Sequence, residues 1–437
     1  MRLRRAWRLA SVLGPLVLLG AGSQAVSRQP DAAVDQAAPT PPATRNPAAT
    51  AGYDPVSRGR YLTIAGNCAG CHMSPSGQPF AGGSPLRTPF GVVLSANITS
   101  AVMRDWSQGQ FYRALHEGVG GGGSHLYPAF PYPYYTRITR ADSDAILAYL
   151  QTVPPVYNRF DRNKLKFPLN NRGLMAFWNA LFLKKGEFRP DPNRSAEWNR
   201  GAYLVEGLAH CGACHTPKNL LGADRRSAPL QGGVLDDWLA PDLTSNNRIG
   251  LGRWSTDEIV EYLKTGRNAR ASASGAMGEV IASTSQLTDA DARAMAVYLK
   301  SRAASPEAAP RPPPAEQVRA GEAIFVDECA GCHRMDGSAE PRMFSPLREN
   351  AAVQQRDPTT LIRIVLNGSR APATDARPTP TAMPAFGWKL NDREVAAVIT
   401  YVRNSWGNAA PAVRPRQVAK IREDTSPSAW PLLKAQR

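Results

Sequence analysis

The same apolar stripe occurs three times along the chain. It reads Ile146, Tyr149 and Leu150, then Met295, Tyr298 and Leu299, then Val398, Tyr401 and Val402. Spacing at i, i+3 and i+4 places each set on one helix face and predicts a buried helical stripe. A polar start signal precedes each stripe. The three starts are Ile138-Thr139-Arg140-Ala141-Asp142, Leu287-Thr288-Asp289-Ala290-Asp291 and Leu390-Asn391-Asp392-Arg393-Glu394. Thr or Asn followed three residues later by Asp or Glu is a capping box or a near variant of it.

Further helices precede each of these in the same order. A middle helix is predicted from Trp106-Ser107 to Gly118, from Trp254-Ser255 to Gly266 and from Pro358 to Gly368. An earlier helix carries Arg58-Gly59-Arg60-Tyr61-Leu62, Arg200-Gly201-Ala202-Tyr203-Leu204 or Ala320-Gly321-Glu322-Ala323-Ile324-Phe325. The glycine in each is expected at a helix crossing. A repeat of this kind outranks other readings of the pattern. It divides the chain into units at 53–152, 196–302 and 315–407.

The segments outside the units read differently. A connector, 153–195, holds the apolar run Gly173-Leu174-Met175-Ala176-Phe177-Trp178, expected to pack on a unit. Prolines at 306, 310, 312, 313 and 314 mark 303–314 as a stiff extended linker. Residues 408–437 form a basic tail with Trp430-Pro431-Leu432-Leu433 near its end. At the other end, an Arg-rich start, the apolar run Leu9–Leu19 and small residues at Ser23-Gln24-Ala25 read as a signal peptide over 1–25. That apolar run is short for a membrane span of about 20 residues. Residues 26–52, rich in Ala, Pro and Thr, read as a disordered tether.

Chemistry enters between the first and middle helix of every unit. Cys68-Ala69-Gly70-Cys71-His72, Cys211-Gly212-Ala213-Cys214-His215 and Cys329-Ala330-Gly331-Cys332-His333 share one pattern and use all six cysteines. Thiols at i and i+3 lie on one face of a helical turn. Both can reach the vinyl groups along one haem edge and form thioethers, with the next histidine carried under the porphyrin plane. C-x-x-C-H reads as c-type haem attachment. Zinc sites and redox dithiols are the competing reading, and a threefold recurrence in register with helices weighs against it. Three covalently bound haem c groups are therefore expected, with His72, His215 and His333 as axial ligands. Covalent attachment of haem c in bacteria happens outside the cytoplasm, in agreement with the signal segment.

A sixth ligand is expected from methionine, whose sulfur raises the reduction potential. Met277 lies before the last helix of the second unit, and Met383-Pro384 before that of the third. Both are expected in loops. The matching slot in the first unit holds Phe130-Pro131, and phenylalanine cannot bind iron. Candidates there are Met175, His125, Met103 and His116, or an open position. His210, beside Cys211, reads as a haem-edge or surface residue.

The formal charge of +16 would suit nucleic acid, but no recognition motif accompanies it. Arg2, Arg4, Arg5 and Arg8 belong to the signal segment, and six haem propionates would offset about six more charges. The remaining basic surface suits an acidic partner or anionic lipid head groups.

The repeats, together with Leu126-Tyr127-Pro128-Ala129-Phe130-Pro131-Tyr132, Gly275-Ala276-Met277-Gly278-Glu279-Val280 and Met383-Pro384-Ala385-Phe386-Gly387, resemble a known family from about Tyr53 to Gly407. It is the tri-haem cytochrome c subunit of membrane-bound bacterial dehydrogenases for alcohols, aldehydes, gluconate and related sugars. The resemblance implies an all-α protein of three tandem class I cytochrome c domains, joined by loop-rich and Pro-rich linkers. It implies a periplasmic subunit at the outer face of the inner membrane. A large catalytic dehydrogenase subunit carrying PQQ or a flavin would supply electrons, and ubiquinone or a downstream oxidase would receive them. Phe130 departs from the Met often found in that family's Tyr-Pro-Ala-Met-Pro-Tyr loop. It admits a molybdenum hydroxylase as partner, since similar cytochromes accompany such enzymes. A free-standing electron shuttle is a third reading. A peroxidase at an open first iron is a fourth, though only His116 and His125 offer distal acid–base groups.

Overall fold

Three crossings of a first helix with a last helix carry the architecture. The first helices are α1 (Pro55–Ala65), α5 (Ala196–Tyr203) and α9 (Ala315–Glu328); the last are α3 (Arg140–Leu150), α8 (Asp289–Lys300) and α11 (Asp392–Val402). A Cβ added at Gly59, Gly201 or Gly321 would collide with the carbonyl oxygen of Ala145, Ala294 or Ala397. It would also sit 2.8 Å from Cβ of Tyr149, Tyr298 or Tyr401. Glycine is required at all three positions because the two backbones touch there. The computed structural model describes residues 54–426 apart from 159, 161, 162, 237 and 308. The expected signal segment (1–25), the tether (26–52) and Trp430-Pro431-Leu432-Leu433 lie outside the described residues.

The middle helices are α2 (Gln108–Glu117), α6 (Thr256–Thr265) and α10 (Thr359–Asn367). Ser107 and Ser255 close full capping boxes with Gln110 and Glu258. Gly118, Gly266 and Gly368 end the helices at φ of 63°, 75° and 73°, a region that favours glycine. The end of each last helix is tied to the segment before its middle helix. Gln151 donates to the Met103 and Trp106 carbonyls, Lys300 to those of Leu251 and Gly252, and Arg403 to those of Gln355 and Arg356.

The all-α expectation is too narrow. Seven short strands occur among the described residues: β1 (Pro85–Thr88), β2 (Gly91–Leu94), β3 (Lys164–Leu165), β4 (Gln231–Leu235), β5 (Trp238–Asp242), β6 (Ser369–Arg370) and β7 (Ala382–Met383). They pair antiparallel as β1-β2-β3, β4-β5 and β6-β7. Stretches too short for helix satisfy their backbone groups by antiparallel pairing instead.

The first two units share one hydrophobic core, in which Leu62, Leu115 and Leu147 cluster with Leu204, Leu208 and Met295. The third unit has its own, around Phe325, Ile362, Val395 and Ile399. Two reciprocal clusters hold units one and two together. Arg58 donates from Nε to Asp142 at 2.7 Å, and Tyr203 of unit two donates to the other oxygen of Asp142 at 2.6 Å. Arg200 donates to both oxygens of Asp291 at 2.8 and 2.7 Å, and Tyr61 of unit one donates to Asp291 at 2.6 Å. Each unit thus supplies an Arg–Asp pair and receives a tyrosine. Unit three has Ala320, Ala323 and Glu394 at the matching positions. Its seam with unit two is polar instead: Thr360 accepts from Leu239 N–H at 2.8 Å, Arg363 stacks on Trp238 at 4.4 Å, and Glu261 meets Arg342 and Arg377.

Two further segments are more ordered than their composition suggests. The connector carries α4 (Leu174–Phe182), and the Trp178 indole N–H donates to the Leu221 carbonyl of unit two at 3.0 Å. The tail expected from residue 408 instead continues unit three as α12 (Pro415–Asp424). Val413, Val418 and Ile421 are buried in the third core, and Arg422 donates to the carbonyls of Gly387 and Leu390. Three apolar side chains among many charges are enough to seat that helix.

Candidate haem sites

Each C-x-x-C-H motif forms a short helical turn: Cys68–Cys71, Gly212–His215 and Ala330–His333. The chain reaches them by different routes. Cys68 lies nine positions after Gly59, Cys211 ten after Gly201, and Cys329 eight after Gly321. At eight, α9 runs directly into the motif. At nine, Asn67 turns left-handed, with φ of 48°. At ten, a π-helical turn over Leu204–Leu208 absorbs a residue, and His210 turns left-handed with φ of 39°. Extra residues in a helix are accommodated in this way as a π-bulge.

The three histidines are oriented alike. Nδ1 lies 2.6 Å from the Ala96 carbonyl oxygen for His72, 2.7 Å from that of Pro241 for His215, and 3.2 Å from that of Ser345 for His333. A carbonyl only accepts, so Nδ1 carries the proton and Nε2 keeps its lone pair for a metal. Burial lowers the pKa of all three rings, against the pull of the carbonyls, and favours this neutral form. None of the six cysteines is in a disulfide. Burial pushes the Cys68 and Cys211 thiols up to about 12 and Cys329 to about 11. Redox dithiols show the opposite shift. Buried Arg403 has Nε and Nη1 without a protein partner, and half-buried Arg267 has a buried Nε without one. An unpaired buried cation is costly, and haem propionates are anions that could meet it. The donor set therefore fits haem c.

Met277 does not lie in a loop. It sits in the first turn of α7 (Ala276–Thr284), half-buried against the shared core. Gly275, with φ of 54° and the Trp238 ring against it, turns the chain and starts that helix. Met383 lies in β7, paired with Ser369, because Gly368 reverses the chain opposite it. Phe130 packs against Tyr135, with ring centroids 5.4 Å apart. Met175, on α4 and 7% exposed, belongs to the cluster with Tyr127, Tyr132 and Trp178 on which Phe130 also packs. Met103 is buried in the shared core instead. His116 is buried and stacks on Tyr112 at 3.8 Å, with Nε2 unpartnered. His125 has a buried, unpartnered Nδ1, and Arg172 of the connector donates to its carbonyl at 2.8 Å.

The first two motifs are neighbours. His210 Nε2 donates to the Gly66 carbonyl at 3.3 Å, Tyr135 OH reaches the same oxygen at 3.3 Å, and the two rings meet edge to face at 5.4 Å. Ser283 on α7 donates to the Asn67 side chain at 2.8 Å. The adjacent Tyr134 hydroxyl bonds Asp224 in unit two. His210 is thus a clamp between two motifs rather than a surface residue. A lone histidine beside a cysteine gives no sequence signal of that role.

A sequence-family model described as cytochrome c matches residues 56–154, 199–303 and 318–406. The chain is 42% identical over 370 residues to a nicotinate dehydrogenase subunit of Pseudomonas putida, covering 82% of this chain and 31% of that relative. It is 40% identical over 399 residues to the gluconate 2-dehydrogenase cytochrome c subunit of Pantoea cypripedii, covering 84% and 90%. It is 36% identical over 403 residues to the cytochrome c subunit of the quinone alcohol dehydrogenase of Komagataeibacter europaeus, covering 86% of each. The chain thus spans under a third of the nicotinate dehydrogenase relative and most of the other two.

Proposed function

The chain belongs to the cytochrome c family, with three such domains that imply three covalently bound haem c groups, and from this we propose that it is the electron-transferring subunit of a dehydrogenase complex. Haem iron supplies one-electron redox chemistry when bound. In this reading Cys68 and Cys71, Cys211 and Cys214, and Cys329 and Cys332 form the thioethers. His72, His215 and His333 are the proximal ligands. Met277 and Met383 are the sixth ligands of the second and third sites. Met175 serves the first, which its shared packing with Phe130 supports over His125. The observation that carries the reading is the threefold fixing of a histidine by a backbone carbonyl at 2.6, 2.7 and 3.2 Å, always directly after a cysteine pair.

The partner is a separate periplasmic catalytic subunit carrying PQQ or a flavin. Electrons pass onward to ubiquinone or the respiratory chain at the outer face of the inner membrane. The similarity to cytochrome subunits of gluconate and alcohol dehydrogenases supports such a partner. The 42% identity to a nicotinate dehydrogenase subunit, together with Phe130, favours a second reading, in which the partner is a molybdenum hydroxylase. Among the described residues no helix is long and apolar enough to cross a membrane. Denaturing mass spectrometry of the mature protein tests the haem assignment. Three haem masses are expected, and two or fewer would overturn it.

A further inference from the structure

Helix α4 is built inside out. Its only polar residue, Asn179, faces the protein, accepting from Tyr132 OH at 2.6 Å and donating to the Glu117 carbonyl at 3.1 Å. Its exposed positions are Leu174, Ala176, Phe177, Ala180 and Leu181, every one apolar. At about 100° per residue they form one continuous arc of about 160°. Leu174, Phe177 and Leu181 are 38%, 69% and 48% exposed. The arc is widened by the loop that Trp178 anchors, where Leu220 is 95% and Leu221 53% exposed. A surface helix ordinarily turns its polar side outward, and an apolar patch of this kind marks an interaction site.

The surroundings of the arc are cationic. Directly after α4, a cavity of about 540 Å³ is lined by Arg137, Lys184, Lys185 and Arg189, with Glu187 as its one lining acid; Arg137 pairs with Glu206 at 3.3 Å and Lys185 with Glu117 at 3.2 Å. Glu187 is engaged, accepting from Tyr112 OH at 2.8 Å and from Arg140 N–H at 3.1 Å. On the other flank Arg225 and Arg226 are exposed, and the nearby Asp224 is held by Tyr134 and Lys218. Apolar side chains bordered by cations, with a basic cavity at the edge, match a bilayer's acyl boundary and anionic phosphates.

We propose that the exposed face of α4 and the Arg137–Arg189 cavity form a docking surface for an anionic phospholipid membrane, with Phe177 and Leu181 entering the interface and the cavity taking a phosphate head group. The proposal rests on the electron-transfer reading only for where the protein works. Its test reads lipid binding, so the two can fail separately. The holoprotein is sedimented with vesicles of phosphatidylcholine containing about one-third phosphatidylglycerol, and with pure phosphatidylcholine. Wild type should bind the anionic vesicles and bind the neutral ones at least tenfold more weakly. Phe177→Asp/Leu181→Asp and Lys184→Glu/Arg189→Glu should each weaken anionic binding tenfold or more, with haem spectra and circular dichroism unchanged. Anionic binding by the aspartate variant at wild-type strength would overturn the proposal, as would failure of wild type to bind. If the aspartate variant keeps vesicle binding but loses a co-purifying dehydrogenase, the face belongs to a protein and the lipid assignment falls.

Discussion

Phe130 holds the position at which the other two units carry Met277 and Met383, and no carbon of its ring can donate to iron. Met277→Leu and Met383→Leu should each remove one methionine-to-ferric-iron charge-transfer band and lower one reduction potential, because a thioether favours ferrous iron. Met175→Leu should remove a third band, and His125→Ala should remove none. Loss of no band in Met175→Leu would exclude that ligand. Asp291 gives a second residue-scale test. Burial raises its pKa, but hydrogen bonds from Arg200 and Tyr61 outweigh burial and hold it below the ordinary value. The folded state therefore binds a proton at Asp291 less readily than the unfolded chain. Its stabilisation is complete above the ordinary carboxylate range near pH 4 and is lost as pH falls through the lowered value. The melting-temperature gap between wild type and Asp291→Asn should accordingly shrink between pH 6 and pH 3. The motif residues were legible from spacing alone, since chemistry fixes C-x-x-C-H. Met175 could only be a candidate, because its place in the cluster on which Phe130 packs depends on how a separate helix folds back.

Helices were legible where local pattern and packing agree. The stripe ending at Tyr401 and Val402, the Ser107 and Ser255 caps and the crossing glycines all appear where the pattern places them. The capping boxes predicted for α3 and α8 are only half formed. Thr139 and Thr288 accept from the Asp142 and Asp291 N–H groups, but those carboxylates turn away to Arg58 and Arg200. In α11, where no such pair exists, Asn391 and Glu394 close the full box. A closely similar local signal is thus overridden by an Arg–Asp pair between the first and last helices of the unit, which no local window contains. The crossings allow a sharper test. Gly321→Ala would drive a methyl into the Ala397 carbonyl and should destabilise the third unit by roughly 3 kcal/mol, read by chemical denaturation. The spectra of the first two sites should persist, because those units have a core of their own. An unchanged midpoint would mean that the helices separate freely there.

Across the whole molecule, units one and two share a continuous core, while unit three is docked through ion pairs and side-chain-to-backbone hydrogen bonds. The repeat announced three units, but it could not reveal this inequality. The information lies in Arg58, Tyr61, Arg200 and Tyr203 being present and their counterparts Ala320 and Ala323 being small, a difference that acquires meaning only once Asp142 and Asp291 are seen between the units. A pair of adjacent motifs beside a third, separately held one suits a protein that passes electrons along rather than one that transforms a substrate. The decisive measurement is anaerobic mixing of the holoprotein with a candidate catalytic dehydrogenase from the same source and that enzyme's substrate, followed at the haem absorbance. All three haems should become reduced in the complete mixture and stay oxidised with substrate alone. Reduction by substrate without the dehydrogenase, or haems left oxidised in the complete mixture, would contradict the account.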